Sequence, residues 1–239
     1  KPHVFAQLHY LRKLCNHPAL AVGNEAEGHP LRAEAAAAAA AAGVPLRSAT
    51  LSPKLLALQQ ILHECGIGVD GGGGGEGGDD DDDGAAPLAA HRALVFCQSR
   101  EMLDLVEVEL LRARMPSVAS LRLDGGVAPA KRADVVAKFN GDPSIDVLLL
   151  TTAVGGLGLT LTAADVVVFV DHDWNPMRDL QAMDRAHRIG QTRVVNVYRL
   201  VARGTLEEEI MSLQAFKRDV AHAVVGADGV AAAGVQAIS

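Results

Sequence analysis

Cysteine is scarce: three residues in 239, Cys15, Cys65 and Cys97, with an odd count and no C-x-x-C pair. That excludes a disulfide framework and a cysteine-based zinc site, and it points to a reducing compartment. Long apolar runs are missing as well. The longest, residues 35–42 and 166–170, fall far short of the roughly 20 residues that a membrane-spanning helix needs. No secretory signal opens the chain, which begins at Lys1 without Met and reads as a fragment of a longer protein. No P-loop (G-x-x-x-x-G-K followed by Ser or Thr) occurs anywhere. There is a single tryptophan, Trp174.

Charge of one sign is concentrated rather than spread. The formal net charge is −7, from 29 acidic and 22 basic residues. Seven of the acids (Asp70, Glu76 and Asp79 to Asp83) lie in residues 68–90, which hold no Lys or Arg. Without those seven, the 22 remaining acids balance the 22 bases. A uniformly basic nucleic-acid binder is therefore excluded, and any such binding must use a local patch.

Two low-complexity segments divide the chain. Residues 24–50 contain a run of eight alanines, which favour helix but form no amphipathic face and are too few to hold an isolated one. Residues 68–90 join five consecutive glycines to five consecutive aspartates and are expected to be disordered, because Gly maximises backbone entropy and like charges repel. Both read as surface insertions. The organisation that follows is a helical segment 1–23, the insertion 24–50, a helix within 51–67, the Gly/Asp-rich insertion 68–90, a body 91–225 and a flexible tail 226–239.

Val4, Leu8, Leu11 and Cys15 recur at helical spacing, with Pro18 as a stop. Ser52-Pro53 starts another helix, whose apolar face is Leu55, Leu58, Ile61, Leu62 and Cys65, ending at Gly66. Beyond His91 short apolar runs alternate with helical patterns: strands at 93–97, 118–123, 145–151, 165–170 and 194–201. Helices carry Met102, Val106 and Leu110, run from Pro129 to Phe139, and open near Pro176. A last helix opens at a capping box, Thr205 with Glu208, and turns Leu206, Ile210, Leu213 and Val220 inward. Near-continuous apolar strands separated by helices predict an α/β fold, a parallel sheet covered on both faces. Ligands of such sheets gather at the carboxyl ends of the strands.

At one such end stands Thr151-Thr152-Ala153-Val154-Gly155-Gly156-Leu157-Gly158-Leu159-Thr160. Its glycines let backbone approach a ligand and offer N–H groups to phosphate, or merely relieve a tight turn. The segment 181–191 places Gln181, Arg185 and Arg188 on one face if it is helical, with Met177, Leu180 and Met183 toward the sheet. Two guanidinium forks converging in this way suit an oxyanion cluster. The alternative is a solvated face with Asp184 and Arg188 paired. His172 and His187 lack metal-ligand spacing and suit local hydrogen bonds. Asp171 and Asp173 have the look of a carboxylate pair, with no basic or nucleophilic companion. Trp174 at the same edge either stacks on a base or packs beneath its loop.

Residues 151–161, Asp173-Trp174-Asn175-Pro176 and residues 181–191 resemble the fifth and sixth helicase motifs of the Swi/Snf family of DNA-dependent ATPases. Residues 93–98 and 121–125 resemble preceding blocks of the same lobe. Residues 142–146, 170–177, 194–199 and 204–208 are most similar to the branch that binds TATA-binding protein and strips it from promoter DNA. The resemblance implies the second of two RecA-like lobes, an ATP hydrolase (helicase-like) acting in the nucleus. ATP would lie in the interlobe cleft, with Mg²⁺ held mainly by the first lobe and duplex DNA across both lobes. It implies that Arg185 and Arg188 are arginine fingers, and that Gly156, Gly158 and Gln181 lie near the nucleotide. Gln98, Thr152, Trp174 and Asn175 would contact a DNA strand. The implied partners are duplex DNA, the first lobe and TATA-binding protein. Thr160 departs from the family, where Asn usually follows Gly-Leu-Gly-Leu. A non-catalytic docking module, a chromatin-remodelling ATPase of another branch and an RNA-unwinding enzyme remain as alternative readings.

Overall fold

In the computed structural model, residues 2–23, 31–69, 91–156 and 158–225 are described. The Gly/Asp-rich insertion from residue 70, the tail from residue 226 and Leu157 lie outside them, as does the side chain of Val220.

Five strands, β1 (Ala93–Cys97), β2 (Ser120–Leu123), β3 (Val147–Thr151), β4 (Val166–Phe169) and β5 (Asn196–Arg199), pair in the order β2-β3-β1-β4-β5. Every described pairing is parallel, with Ala93 opposite both Val147 and Val166. All five residues of β1 and of β3 are buried, as expected for strands covered on both faces. One face (Ala93, Val95, Cys97, Leu149, Val168) packs on Leu55, Leu58 and Leu62 of α4 (Pro53–Glu64) and on Met102, Val106 and Leu110. The other (Leu94, Phe96, Leu150, Phe169) packs on Phe139 of α6 (Pro129–Gly141) and on Ala182 of α8 (Pro176–Met183). Each fully buried leucine contributes about 2 kcal/mol. Phe96 and Phe169 stack with centroids 5.1 Å apart.

The helix after β1 begins as α5 (Arg100–Leu105), capped by Ser99, and continues with π-helical winding over Val106–Arg112. Ser52 caps α4 by accepting from the Leu55 N–H, and Gly66 leaves it with φ +71°. Those two ends match the sequence reading.

Several elements depart from it. The helix α1 (Pro2–Asn16) ends one residue before His17, and Pro18 opens α2 (Pro18–Val22) rather than only stopping a helix. His17 Nδ1 accepts from the Ala19 N–H, so the break is capped. On α1, which the spacing of Val4, Leu8, Leu11 and Cys15 predicts, Val4 and Leu11 are exposed. The alanine run does form a helix, α3 (Arg32–Ala41), because Ala39 is buried and α3 packs against α2. In the final helix, α9 (Leu206–Val225), Leu213 is exposed, and the buried face is Glu207, Ile210 and Gln214. Thr205 Oγ1 accepts from the Glu207 N–H, and the carboxylate that reaches back is Glu207, not Glu208. Glu207 is drawn inward because Lys54 waits there.

At the amino-terminal edge of the sheet Asp165 accepts from the Arg92 N–H (3.1 Å), His91 (2.7 Å) and Arg193 (3.0 Å). Burial alone would raise its pKa. These hydrogen bonds outweigh burial and hold it below the usual carboxylate value. Its stabilising contribution is therefore complete above the unfolded carboxyl's pKa of about 3.9 and is lost as pH falls through the lower folded value. Asp165→Asn should lower Tm at neutral pH and flatten the acid limb of a Tm–pH curve below about pH 4. Parallel curves for the two proteins would refute this.

Candidate functional site

The carboxyl ends of the strands bring the sequence-named residues to one edge, in two neighbouring clusters. The first forms around the turn after β3. Thr151 leads directly into the short helix α7 (Thr152–Gly155). A Cβ on Gly155 would lie 2.6 Å from Phe96, so only glycine lets the turn sit this close to the central strand. Gly158 has φ +76°, a backbone conformation that disfavours any side chain. A Cβ on Gly156 would lie 4.0 Å from Gln181 Oε1, which places the Gln181 side chain beside this turn.

Arg188 reaches the same Gly-rich segment through its side chain and Arg185 through its backbone carbonyl, by a different route from the one the spacing predicts. The helix α8 ends at Met183, so Gln181, Arg185 and Arg188 do not share one helix face. Arg185 and Arg188 lie in the following turns because the loop of residues 158–164 competes for their backbone. The Leu161 N–H donates to Arg185 O (2.9 Å), and Gln191 Nε2 donates to Thr162 O (3.1 Å), Ala164 O (2.7 Å) and Ala186 O (3.3 Å). Met177, expected toward the sheet, is exposed, while Asp179 and Ala182 are buried.

Arg188 Nη1 donates to Gly158 O (3.2 Å) and to the Thr160 hydroxyl (2.9 Å). Its partner is therefore the Gly-rich loop and not Asp184. Thr160, the departure from the family pattern, serves as an acceptor for this arginine, and its own carbonyl accepts from Asn140 Nδ2 (2.8 Å). Arg185 carries a buried Nε–H with no hydrogen-bond partner among the described residues. A buried donor left in this way is costly unless an acceptor arrives.

The second cluster joins the ends of β1, β3 and β4. The Gln98 amide lies 2.9 Å from the Thr152 hydroxyl. With the amide oriented to satisfy its surroundings, Gln98 accepts from Thr152 and donates to Asp173 Oδ2 at 3.3 Å. Thr152 itself is buried. Asn175 caps α8, its Oδ1 accepting from the Met177 N–H (3.1 Å), and Asp173 accepts from the Asn175 N–H (2.8 Å) and from Arg178 (3.1 Å). Trp174 is half-buried and lines a cleft of about 310 Å³ with Phe5, Leu8, His9 and Arg12 of α1. Lys217 of α9 donates to Trp174 O (2.9 Å), and Gln214 Nε2 donates to Asp179 Oδ2 (3.0 Å).

Asp171 is buried, whereas Asp173 is half-buried. Asp171 accepts from the Gln98 N–H (2.8 Å) and from Asn16 Nδ2 (2.9 Å). Burial raises its pKa, opposed by Lys54 and by these two donors. His172 Nε2 meets Leu200 O at 3.0 Å. His187 is exposed. Among the described residues no group of three or more His, Cys, Asp or Glu side chains could hold a metal ion.

One residue escaped the sequence reading altogether. Lys54 is buried, and its Nζ donates to Asn16 Oδ1 (2.8 Å), Val170 O (2.8 Å) and Glu207 Oε1. Its signal was present: four residues before Leu58, it falls on the apolar face of α4, where an unpaired lysine would not be tolerated.

Residues 87–190 match the helicase conserved C-terminal domain. The chain is 56% identical over 225 residues, 94% of its length, to a TATA-binding protein-associated factor, mot1, of Schizosaccharomyces pombe. It is 56% identical over 223 residues to TATA-binding protein-associated factor 172 of Homo sapiens. A chromatin-remodeling ATPase, INO80, of Cryptococcus neoformans is 51% identical over 140 residues, 59% of this chain and 8% of that protein. The chain spans only 11–12% of the length of the two TATA-binding protein-associated factors. Among solved structures, the C-terminal part of the Fun30 ATPase domain matches with a TM-score of 0.57 and 32% identity, covering 70% of this chain and 46% of that one. The parallel five-stranded sheet is thus a RecA-like helicase lobe, and the chain belongs to the Swi/Snf family, in the branch of the TATA-binding protein-associated factors.

Proposed function

We propose that this chain is the second motor lobe of an ATP-dependent duplex-DNA translocase that removes TATA-binding protein from promoter DNA in the nucleus. The observation that carries the reading is the union of two distant motifs. Arg188 is bonded to the Gly158 loop, Gln181 lies beside Gly156 of the same segment, and Arg185, one turn before Arg188, keeps an unsatisfied Nε–H. Two permanent cations, a left-handed glycine and an unspent buried donor fit the oxygens of a nucleoside triphosphate presented by a first lobe. Gly156, Gly158 and Gln181 form the wall facing the nucleotide, and Arg185 and Arg188 are the arginine fingers. ATP supplies the transferable phosphoryl group, and Mg²⁺ is held mainly by the first lobe. The chain's own part is to hold two guanidinium groups where negative charge develops and to release them when that charge leaves.

Gln98, Thr152, Trp174 and Asn175 form the DNA edge. Thr152 and Asn175 act there by holding Gln98 and the start of α8, while Gln98 and Trp174 reach the strand. Phosphate and sugar contacts dominate at such an edge, so binding carries little sequence reading. A two-lobed parent should be stimulated by duplex DNA far more than by RNA, and should release TATA-binding protein from a promoter duplex only when ATP is hydrolysed. Equal stimulation by RNA would favour an unwinding enzyme. ATP-independent release would favour a docking module.

A further inference from the structure

The DNA edge is tied to the far helix α9 by a buried path of polar contacts that no motif marks. Glu207 of α9 meets Lys54 of α4, and Lys54 donates to Asn16 Oδ1 at the end of α1 (2.8 Å). Asn16 Nδ2 donates to Asp171 Oδ2 beyond β4 (2.9 Å), and Asp171 Oδ1 accepts the backbone N–H of Gln98 (2.8 Å). All four side chains are buried. Other contacts pin the path at its α9 end and at its middle: Glu207 Oε2 accepts from the Ala202 N–H (2.8 Å), and Ser52 Oγ donates to Asn16 O (2.6 Å).

Lys54 is the hub. Its three N–H groups are all spent, on α1, on the end of β4 and on α9, and it is the one cation within a path holding two carboxylates. A buried charge set of this kind adds little net stability compared with an apolar core. What it fixes is relative position, because each donor has one acceptor and the interior offers no substitute partner.

We infer that Lys54 is a positioning residue, which sets the loop carrying Gln98 against α9 through Asn16 and Asp171 and so determines how tightly the lobe grips DNA. Displacement of α9 reaches Gln98 through three side chains. The DNA consequence rests on the translocase reading, whereas the placement of Gln98 does not.

The test uses a two-lobed parent carrying Lys54→Met with Glu207→Gln, which removes one charge of each sign and does not strand Glu207. Amide hydrogen exchange at Gln98 should quicken by roughly tenfold, with Val95 inside β1 unchanged. Half-saturating duplex DNA for ATPase stimulation should rise by roughly tenfold, with kcat at saturating DNA within about twofold. A purely structural role would instead return both readouts to the unmutated values once the charges are balanced. Asn16→Leu severs the same path while leaving the Lys54–Glu207 pair intact, and it should give the same two changes if the double variant does not fold. Unchanged exchange at Gln98 in a folded variant overturns the inference. If the unmutated parent ignores DNA, the translocase reading fails, and the exchange measurement alone decides the role of Lys54.

Discussion

Arg188→Ala in a two-lobed parent is expected to lower kcat for ATP hydrolysis by about 10³-fold or more, with duplex-DNA affinity within roughly twofold. Arg188 is exposed, yet it is held in place by Gly158 O and the Thr160 hydroxyl, so its guanidinium is ordered before any ligand arrives. A preorganised cation costs no reorganisation when charge develops on a transferring phosphoryl group, and that is where an arginine finger acts. Its contacts lie on the Gly-rich loop and not in the Gln98–Asp173 cluster, so the DNA edge should survive its loss. Thr160→Val should give a smaller fall in kcat, since the Gly158 carbonyl still restrains the arginine. Near-normal kcat in Arg188→Ala, measured at saturating ATP and DNA, would remove the finger assignment.

The second large effect concerns the chain alone. Incubated with duplex DNA and ATP, residues 1–239 should hydrolyse ATP at least about 10³-fold more slowly than the two-lobed parent. On the proposed reading the lobe's arginines act at the outer phosphate, while its sequence offers no P-loop lysine or hydroxyl to cradle the triphosphate. Fingers without a cradle have nothing held against them. Adding the separately purified first lobe at high concentration should restore part of the rate, because the defect is one of proximity. Turnover by the isolated chain comparable to that of the parent would defeat this division of labour.

The strands and the covered sheet were legible because their apolar runs are short, β-branched and bounded by turns, and a parallel sheet buried on both faces leaves that imprint. The α4 start was equally plain, since Ser52-Pro53 satisfies both the cap and the first turn. What stayed hidden was decided by tertiary competition. Residues 184–190 have helical spacing, but Gln191 and the Leu161–Arg185 bond draw the backbone out of helix. The alanine run gains from α2 a packing surface that no local pattern announces. Glu207 displaces Glu208 as the reaching carboxylate because a lysine 153 positions away in sequence is buried beside it. In the site, the nearness of Arg188 and Gln181 to the Gly-rich segment was readable, whereas the single helix face was not. Their supports, Thr160 for Arg188 and Asn16 for Asp171, were not, since each is a contact between segments remote in the chain.

The strand order has a kinetic consequence. The central strand β1 pairs with β3 and β4, so Ala93 waits for Val147 and then Val166 to be synthesised. As the polypeptide leaves the ribosome, this wholly apolar central strand therefore emerges long before either neighbour can cover it. High contact order of this kind slows folding and prolongs the exposure of a sticky edge. Nascent chains stalled between β2 and β3 should consequently be the species most avidly captured by chaperones.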